Sequence, residues 1–285
     1  MDKLTSVLWL TILILLFGSC EDDDCCQPRN KSQYTVQLFI KDKNYFNIDK
    51  IDLLAKNGEN SPFQQYVNNI YYELREFDSG KVLYKSDIIP ITHKELSHNI
   101  SFNKIPNGKY ELTVWGNVTT DVPIGYLHFN NNEHTDIYMA NTTLIFSSEC
   151  QTAKLFLERT KGMLAVSVLN YPAGITTVKQ SLSSISELVN HHFEYSGNTL
   201  VYKDFAIQPM LQTVLSPIIG DKKAILSLQF SDGKNSNIHL PEIPIPIKRN
   251  EISIVRVDFD ALTNTWKICI LIDKEWTIVD ELYIQ

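Results

Sequence analysis

Cys20 is the residue whose surroundings point most specifically to a chemical reaction. Residues 4–17 are almost all apolar, and the small residues Gly18 and Ser19 come directly before the cysteine. A run of this length falls short of the roughly 20 residues that a membrane-spanning helix needs, but it fits the apolar region of a secretory signal peptide. The pattern predicts cleavage before Cys20 and acylation of its thiol.

This arrangement resembles the lipobox of bacterial lipoproteins, although Phe17 stands where such motifs usually carry leucine. The resemblance implies a signal peptide over residues 1–19 and a covalent lipid, such as palmitate, on Cys20, and apart from this lipid we expect no cofactor. It also implies attachment to the cell outer membrane. Two or three acyl chains attach a protein stably to a membrane, because each methylene buried in the bilayer contributes about 0.8 kcal/mol to the binding free energy. The alternative is an ordinary signal peptide in which Cys20 is incidental.

Four acidic residues follow Cys20 directly: Glu21, Asp22, Asp23 and Asp24. The run resembles the surface-export signal of Bacteroides-type lipoproteins, which implies exposure on the cell surface. Like charges in a short segment also repel one another and stay solvated, so the run can serve as an extended tether. The two roles are compatible, and we expect residues 20–33 to link the lipid to the folded part.

The remaining cysteines are Cys25, Cys26, Cys150 and Cys269. An exported protein meets oxidising conditions, so disulfides are chemically possible, but the sequence leaves their pairing open. Cys269 lies in an apolar run, which favours a buried thiol. The side chains of residues 22–26 lack the spacing of a zinc site, and we expect no metal ion there.

His191 and His192 are further residues that could bind a metal ion. Neighbouring side chains point to opposite faces of a strand and diverge by about 100° on a helix, so we expect two separate surface residues. The sequence contains no nucleophile elbow, zinc-protease motif, phosphate-binding loop or dinucleotide fingerprint. A net charge of −7 without basic clusters disfavours nucleic acid as a partner. We therefore expect no metal, no small-molecule substrate and no enzymatic activity.

The elements that follow the tether are mostly strands. Alternation of apolar and polar residues, as in residues 110–115 and 224–230, predicts sheets with one buried and one solvated face. Residues 181–189 are different, because their apolar residues have helical spacing and Ser184 with Glu187 could form a capping box. They are either a short helix or a further strand.

Many short strands at near-even spacing predict an all-β fold of the sandwich type. The 285 residues are enough for two domains, and the chain divides into two parts near Gln151. We expect an N-terminal β-sandwich domain over residues 34–150 and a C-terminal β-sandwich domain over residues 151–285.

Two segments carry a family resemblance. IPNGKYELTVWGN at residues 105–117 and LFLERTKGMLAVSVLNYP at residues 155–172, in this order after the lipobox, resemble the FimB-like fimbrial anchor lipoproteins of Bacteroides-type bacteria. The resemblance covers most of the mature chain and implies two tandem transthyretin-like β-sandwich domains without catalytic residues. It implies a pilus anchor that binds fimbrillin subunits at the base of a fimbrium and serves cell adhesion.

Sheet edges suggest how such an anchor would bind a subunit. Unpaired N–H and C=O groups on an edge strand can take up a strand from another chain, and the resemblance implies assembly by strand donation. Residues 276–284 are a candidate for this exchange, and an ordinary core strand is the alternative. The rival function is a surface glycan-binding lipoprotein of a polysaccharide-uptake system, with Trp115 and Trp276 as candidate platforms for sugar rings.

Overall fold

A computed structural model describes residues 33–51, 54–147, 151–234, 237–272 and 275–283. Cys20, the acidic run that follows it, and Cys25, Cys26 and Cys150 lie outside these residues. The described protein is nearly all β, with twenty strands and two single-turn 3-10 helices at Ile48–Lys50 and Phe63–Gln65. Within these ranges, no helix has the length and apolar character of a membrane span. The all-β prediction is confirmed.

The first half of the chain, up to residue 159, forms one eight-stranded sheet. Its strands are β1 (Gln33–Ile40), β2 (Asn69–Glu76), β3 (Val82–Lys85), β4 (Ile89–Pro90), β5 (Ser97–Asn103), β6 (Gly108–Gly116), β7 (Tyr138–Phe146) and β8 (Gln151–Arg159). The order is β3-β2-β6-β7-β8-β1-β5, and β4 also pairs with β2. Strands β7 and β8 pair only at Tyr138–Arg159 and Met139–Glu158, so the sheet divides there into two layers. Both layers contribute to one apolar core, which contains Leu38, Leu112 and Leu157.

The second half, from residue 160, forms two five-stranded sheets and a small hairpin. Its strands are β9 (Gly162–Leu169), β10 (Thr177–Ile185), β11 (Leu188–Val189), β12 (Tyr195–Ser196), β13 (Thr199–Ala206), β14 (Met210–Leu215), β15 (Ala224–Ser231), β16 (Asn237–His239), β17 (Ile243–Ile245), β18 (Ile252–Asp260), β19 (Thr265–Ile272) and β20 (Glu275–Tyr283). The sheets run β14-β9-β18-β19-β20 and β13-β10-β15-β16, with β17 also on β15, while β11 and β12 form the hairpin. Phe230 and Trp266, with ring centroids 4.8 Å apart, join the two large sheets in a second core.

The predicted alternation is visible in single strands. In β15, Ala224, Leu226, Leu228 and Phe230 are buried, and the residues between them are half-buried. One face of β15 therefore packs on the core and the other is partly exposed to solvent, as the sequence pattern predicts.

Residues 181–185 and 188–189 lie in strands, so of the two alternatives that the sequence left open the strand is correct and the helix is wrong. Strand β10 continues to Ile185, and its register with β13 shifts between Leu182 and Ile185. Ser184 lies in this bulge with a φ of 63°. The bulge inserts residues between two buried positions, so Leu182 and Ile185 acquire a spacing of three that resembles a helix.

Strand β8 belongs to the first half. It pairs in parallel with β1, and its Leu155 and Leu157 lie in the first core. The two-domain division stays a prediction, but this pairing places any boundary after Arg159 rather than before Gln151.

Two predictions about single side chains are wrong. Trp115 is only 5% exposed, because the chain after β6 folds over it and packs Val118 and Leu127 into the same cluster. Its ring cannot serve as a platform for sugars. Cys269 is half-buried on β19, where the strand alternation places Ile268 and Ile270 in the core instead. The side chain of Trp276 lies outside the described part of the protein.

Candidate functional site: the junction and the outer strands

The loop between β6 and β7, residues 117–137, joins the two halves. Its Asn131 carbonyl accepts a hydrogen bond from the backbone N–H of Tyr202 on β13 at 2.9 Å. Its Glu133 carboxylate accepts one from the backbone N–H of Val214 on β14. These two N–H groups already have acceptors, so the loop occupies part of each strand edge and hinders its pairing with another chain.

His128 holds the same loop from inside the protein. Its ring is fully buried, and Nε2 accepts a hydrogen bond from the backbone N–H of Ser216 at 3.0 Å. Burial and the nearby Lys161 lower the pKa of His128 well below its ordinary value. The ring is therefore neutral, which is the state in which a ring nitrogen can accept a hydrogen bond.

Arg159 ends β8 at the junction and contacts both halves. Its guanidinium donates to the Asp136 carboxylate and the Tyr138 hydroxyl, each at 2.5 Å, and to the side-chain oxygen of Asn250 at 2.7 Å. Asn250 belongs to the second half, and the ring of Tyr45 stacks 4.1 Å from the guanidinium carbon. With a side chain only 6% exposed, Arg159 is a buried cation with charged and neutral partners.

Lys161, two residues further along, is completely buried. Its ammonium group donates to the backbone carbonyl of His134 at 3.0 Å. Burial lowers the pKa of Lys161 to about 7, while the charges of Asp136 and Glu133 act in the opposite direction. The charged form of this side chain therefore costs stability.

Replacing Lys161 with methionine is expected to remove part of the pH dependence of stability. The pKa of Lys161 is about 7 in the folded protein and 10.5 ordinarily. Between these values the unfolded chain binds more protons, so stability rises with pH in the parent. As the pH rises through this range, the free energy of unfolding of the parent should increase by up to about 1.4 kcal/mol per pH unit relative to that of Lys161→Met. Urea unfolding of both proteins across this window measures the difference.

The exposed Lys248 supplies the control for this experiment, because its side chain is 65% exposed. Lys248→Met should follow the pH profile of the parent. Parallel profiles for the parent and Lys161→Met would contradict the assignment of a depressed pKa to Lys161.

The remaining outer strands of the large sheets are β3, β4, β5, β16, β17 and β20. Strand β20 pairs with β19, with a register shift between Ile268 and Cys269, and in the described sheet it has no neighbour on its other side. Ile278 on this strand is 56% exposed. The predicted C-terminal strand is present, and it lies at an edge rather than inside the sheet.

His191 and His192 lie together, so the expectation of diverging side chains is wrong. They occupy the turn between β11 and β12, and their ring centroids are 4.1 Å apart. Phe193 has a φ of 60°, so the backbone reverses here and the alternation of an extended strand does not apply. Glu111 of β6 lies beside them, with Oε2 3.6 Å from His191 Nε2. No spacing in the sequence could have linked residues so far apart in the chain.

The residues of the predicted lipid site and export signal lie outside the described ranges, and these assignments stay predictions. The described architecture defines a class: an all-β protein of the sandwich type whose halves are joined by a buried polar junction. No protein-family model matches the sequence, and no curated protein matches it.

Solved structures show the same fold. The chain is similar to "putative polysaccharide binding proteins" from Bacteroides thetaiotaomicron, with 11% identity, a TM-score of 0.57, and coverage of 88% of this chain and 99% of that one. It is also similar to a "putative adhesin" from Bacteroides ovatus, with 10% identity, a TM-score of 0.55, and coverage of 88% and 96%. The fimbrial anchor protein Mfa2 from Porphyromonas gingivalis matches with 9% identity, a TM-score of 0.48, and coverage of 88% and 96%. The first two likenesses establish the fold alone.

Proposed function

We propose that the protein is an outer-membrane lipoprotein that anchors a cell-surface fimbria at its base. In this role it influences filament attachment and length through β-strand addition with a fimbrial subunit. The lipobox at Cys20, the acidic run after it, and the segments at 105–117 and 155–172 support attachment to the surface and the family resemblance. The sandwich fold, which it shares with a "putative adhesin", agrees with a non-enzymatic role.

The observation that carries the strand-addition proposal is the position of β20. The β6–β7 loop occupies part of the edges of β13 and β14, whereas β20, like the other outer strands, has no described neighbour on its outer side. An unpaired edge presents a row of N–H and C=O groups, which can bind an extended segment through main-chain hydrogen bonds. Side chains such as Ile278, which is exposed, would add specificity.

Glycan binding is the second candidate function. Phe77 and Phe156 are 44% and 50% exposed and line one cleft, where sugar rings could stack on them. The burial of Trp115 removes one of the two platforms that the sequence suggested. The fimbrial-anchor proposal does not depend on Trp115, because it is supported by the lipobox at Cys20 and by the edge position of β20.

Proline substitutions at Thr277 and Ile278 test the use of β20. Adjacent residues on a strand direct their N–H groups to opposite sides, so one of the two substitutions removes a bond to β19 and the other removes an outward donor. We expect the first to lower the melting temperature. The second should preserve the fold but reduce the amount of fimbrial subunit that co-purifies with the detergent-solubilised protein.

Each variant is compared with the parent at equal expression, and the melting temperature identifies which substitution leaves the sheet intact. If that variant retains as much fimbrial subunit as the parent, β20 is not the binding edge. If the parent co-purifies with polysaccharide and never with a fimbrial subunit, glycan binding replaces the anchor function.

A further inference from the structure

Two imidazoles and one carboxylate form a cluster to which the proposed anchor function gives no role. Glu111, His191 and His192 each offer one ligand atom, and these atoms all lie within 4.8 Å of one another. His191 Nε2 and Glu111 Oε2 are 3.6 Å apart. All three line a cleft of about 480 Å³, which leaves space for water beside them.

The cluster connects the two halves of the chain. Glu111 lies on β6 in the first half and points away from the core, since its neighbours Tyr110 and Leu112 are buried. His191 and His192 lie in the turn of the β11–β12 hairpin in the second half. An ion bound here would therefore link the hairpin to the outer face of the first sheet.

The backbone of the turn is already ordered. The side-chain oxygen of Asn190 accepts hydrogen bonds from the backbone N–H groups of His192 at 2.9 Å and Glu194 at 3.0 Å. The ring of Phe193 lies 4.8 Å from the guanidinium carbon of Arg249, which anchors the turn on the second half. These contacts within the protein hold the two imidazoles side by side, which lowers the entropic cost of binding an ion.

The carboxylate is oriented as well. Asn141 Nδ2 donates to Glu111 Oε1 at 2.9 Å, so this oxygen is engaged and Oε2, which lies nearest to His191, remains for a ligand. Hydrogen bonds of this kind to the second oxygen of a ligating carboxylate fix its direction at metal sites.

The ligand set selects the kind of ion. Two imidazoles with one carboxylate suit first-row transition metals such as zinc, whereas calcium and magnesium prefer oxygen ligands alone. Zinc–ligand bonds of about 2.0–2.2 Å in a tetrahedral site place neighbouring ligand atoms roughly 3.3 Å apart. The observed 3.6 Å is close to this value, and His192, which is exposed, can turn to complete the set. Water from the cleft would occupy the fourth position.

We propose that Glu111, His191 and His192 form a zinc site that fastens the β11–β12 hairpin of the second half to the first sheet. We assign it a structural role because its ligands come from two separate parts of the chain, Glu111 on β6 and the two histidines in the β11–β12 turn. Zinc should therefore restrict the turn at residues 190–194 in addition to binding there.

Zinc titration of the detergent-solubilised full chain, purified without a histidine tag, tests the proposal. His191→Ala, His192→Ala and Glu111→Gln should each lower zinc affinity. Losing a residue that only hydrogen-bonds to a metal ligand typically lowers affinity by about 10-fold to 100-fold, and losing a ligand itself should lower it by more. His239→Ala, at an exposed histidine on β16, is the matched control and should bind zinc as the parent does. Comparison with the parent separates this site from any zinc held by the cysteines and carboxylates of the N-terminal segment.

Hydrogen exchange provides the second measurement. Zinc should slow exchange of the amides at residues 190–194 in the parent and in His239→Ala, but not in His191→Ala. Melting temperatures without zinc verify that the variants are folded. Equal zinc affinity in the parent and the three ligand variants overturns the proposal, and so does zinc binding that leaves exchange at the turn unchanged.

Discussion

Replacing Cys20 with alanine is expected to release the protein from the membrane fraction and to release fimbriae into the medium. The lipid attached to this thiol is the proposed anchor, and each of its buried methylenes contributes about 0.8 kcal/mol. Cell fractionation measures the release of the protein, counts of fimbriae on cells and in the medium measure the release of the filaments, and metabolic labelling with a fatty acid checks that the lipid is lost.

Cys25 and Cys26 are the matched controls, because they lie a few residues beyond the proposed cleavage site. Cys25→Ala and Cys26→Ala should keep the lipid, the membrane attachment and the fimbriae. If Cys20→Ala partitions into membranes as strongly as the parent, the lipid anchor is wrong. The role at the base of a filament then loses its main support.

Replacing Arg159 with methionine is expected to lower the free energy of unfolding by about 3–5 kcal/mol, the usual cost of removing one partner from a buried ion pair. The substitution removes the cation between Asp136 and Asn250 and leaves their polar atoms without a donor. Burial raises the pKa of Asp136 and Arg159 opposes this effect, so in the variant the carboxyl should take up a proton more readily. Urea unfolding followed by circular dichroism measures the loss.

Arg249→Met is the control for this substitution. Arg249 pairs with Glu158 at 2.7 Å, but its side chain is 28% exposed, and such pairs usually contribute about 0–1 kcal/mol. The double variant Arg159→Met, Asp136→Asn should recover part of the stability, because it removes both buried charges. A loss no larger for Arg159→Met than for Arg249→Met would show that the junction does not depend on the buried pair.

Local patterns in the sequence were enough to predict the strands. The alternation in β15 and in Tyr110–Leu112 survives unchanged, because each of these strands has one face on a core. The same method failed at residues 181–189, where the bulge at Ser184 shifts the alternation by a step that sequence spacing cannot distinguish from a helix.

The candidate sites depended on contacts between distant parts of the chain. Strand alternation places Trp115 on the face of β6 opposite Leu112, where the sequence predicts exposure, but the β6–β7 loop packs over its ring and buries it. His191 and His192 appeared divergent until the turn between β11 and β12 was known, and Glu111 joins them only through the packing of the two halves. Arg159 and Lys161 stand in an unremarkable polar stretch of the sequence, and only the fold shows that both are buried.

The parallel pairing of β1 with β8 has a mechanical consequence. Strand β1 follows the N-terminal segment, β8 leads into the second half, and their register runs from Tyr34 opposite Gln151 to Ile40 opposite Leu157. In the proposed anchor role, tension between the membrane and a filament bound to the second half would pull β1 by its beginning and β8 by its end. Since the strands run in the same direction, these forces oppose each other along the strand axis. The hydrogen bonds between them are then sheared together instead of being unzipped in succession, a geometry that resists rupture under flow.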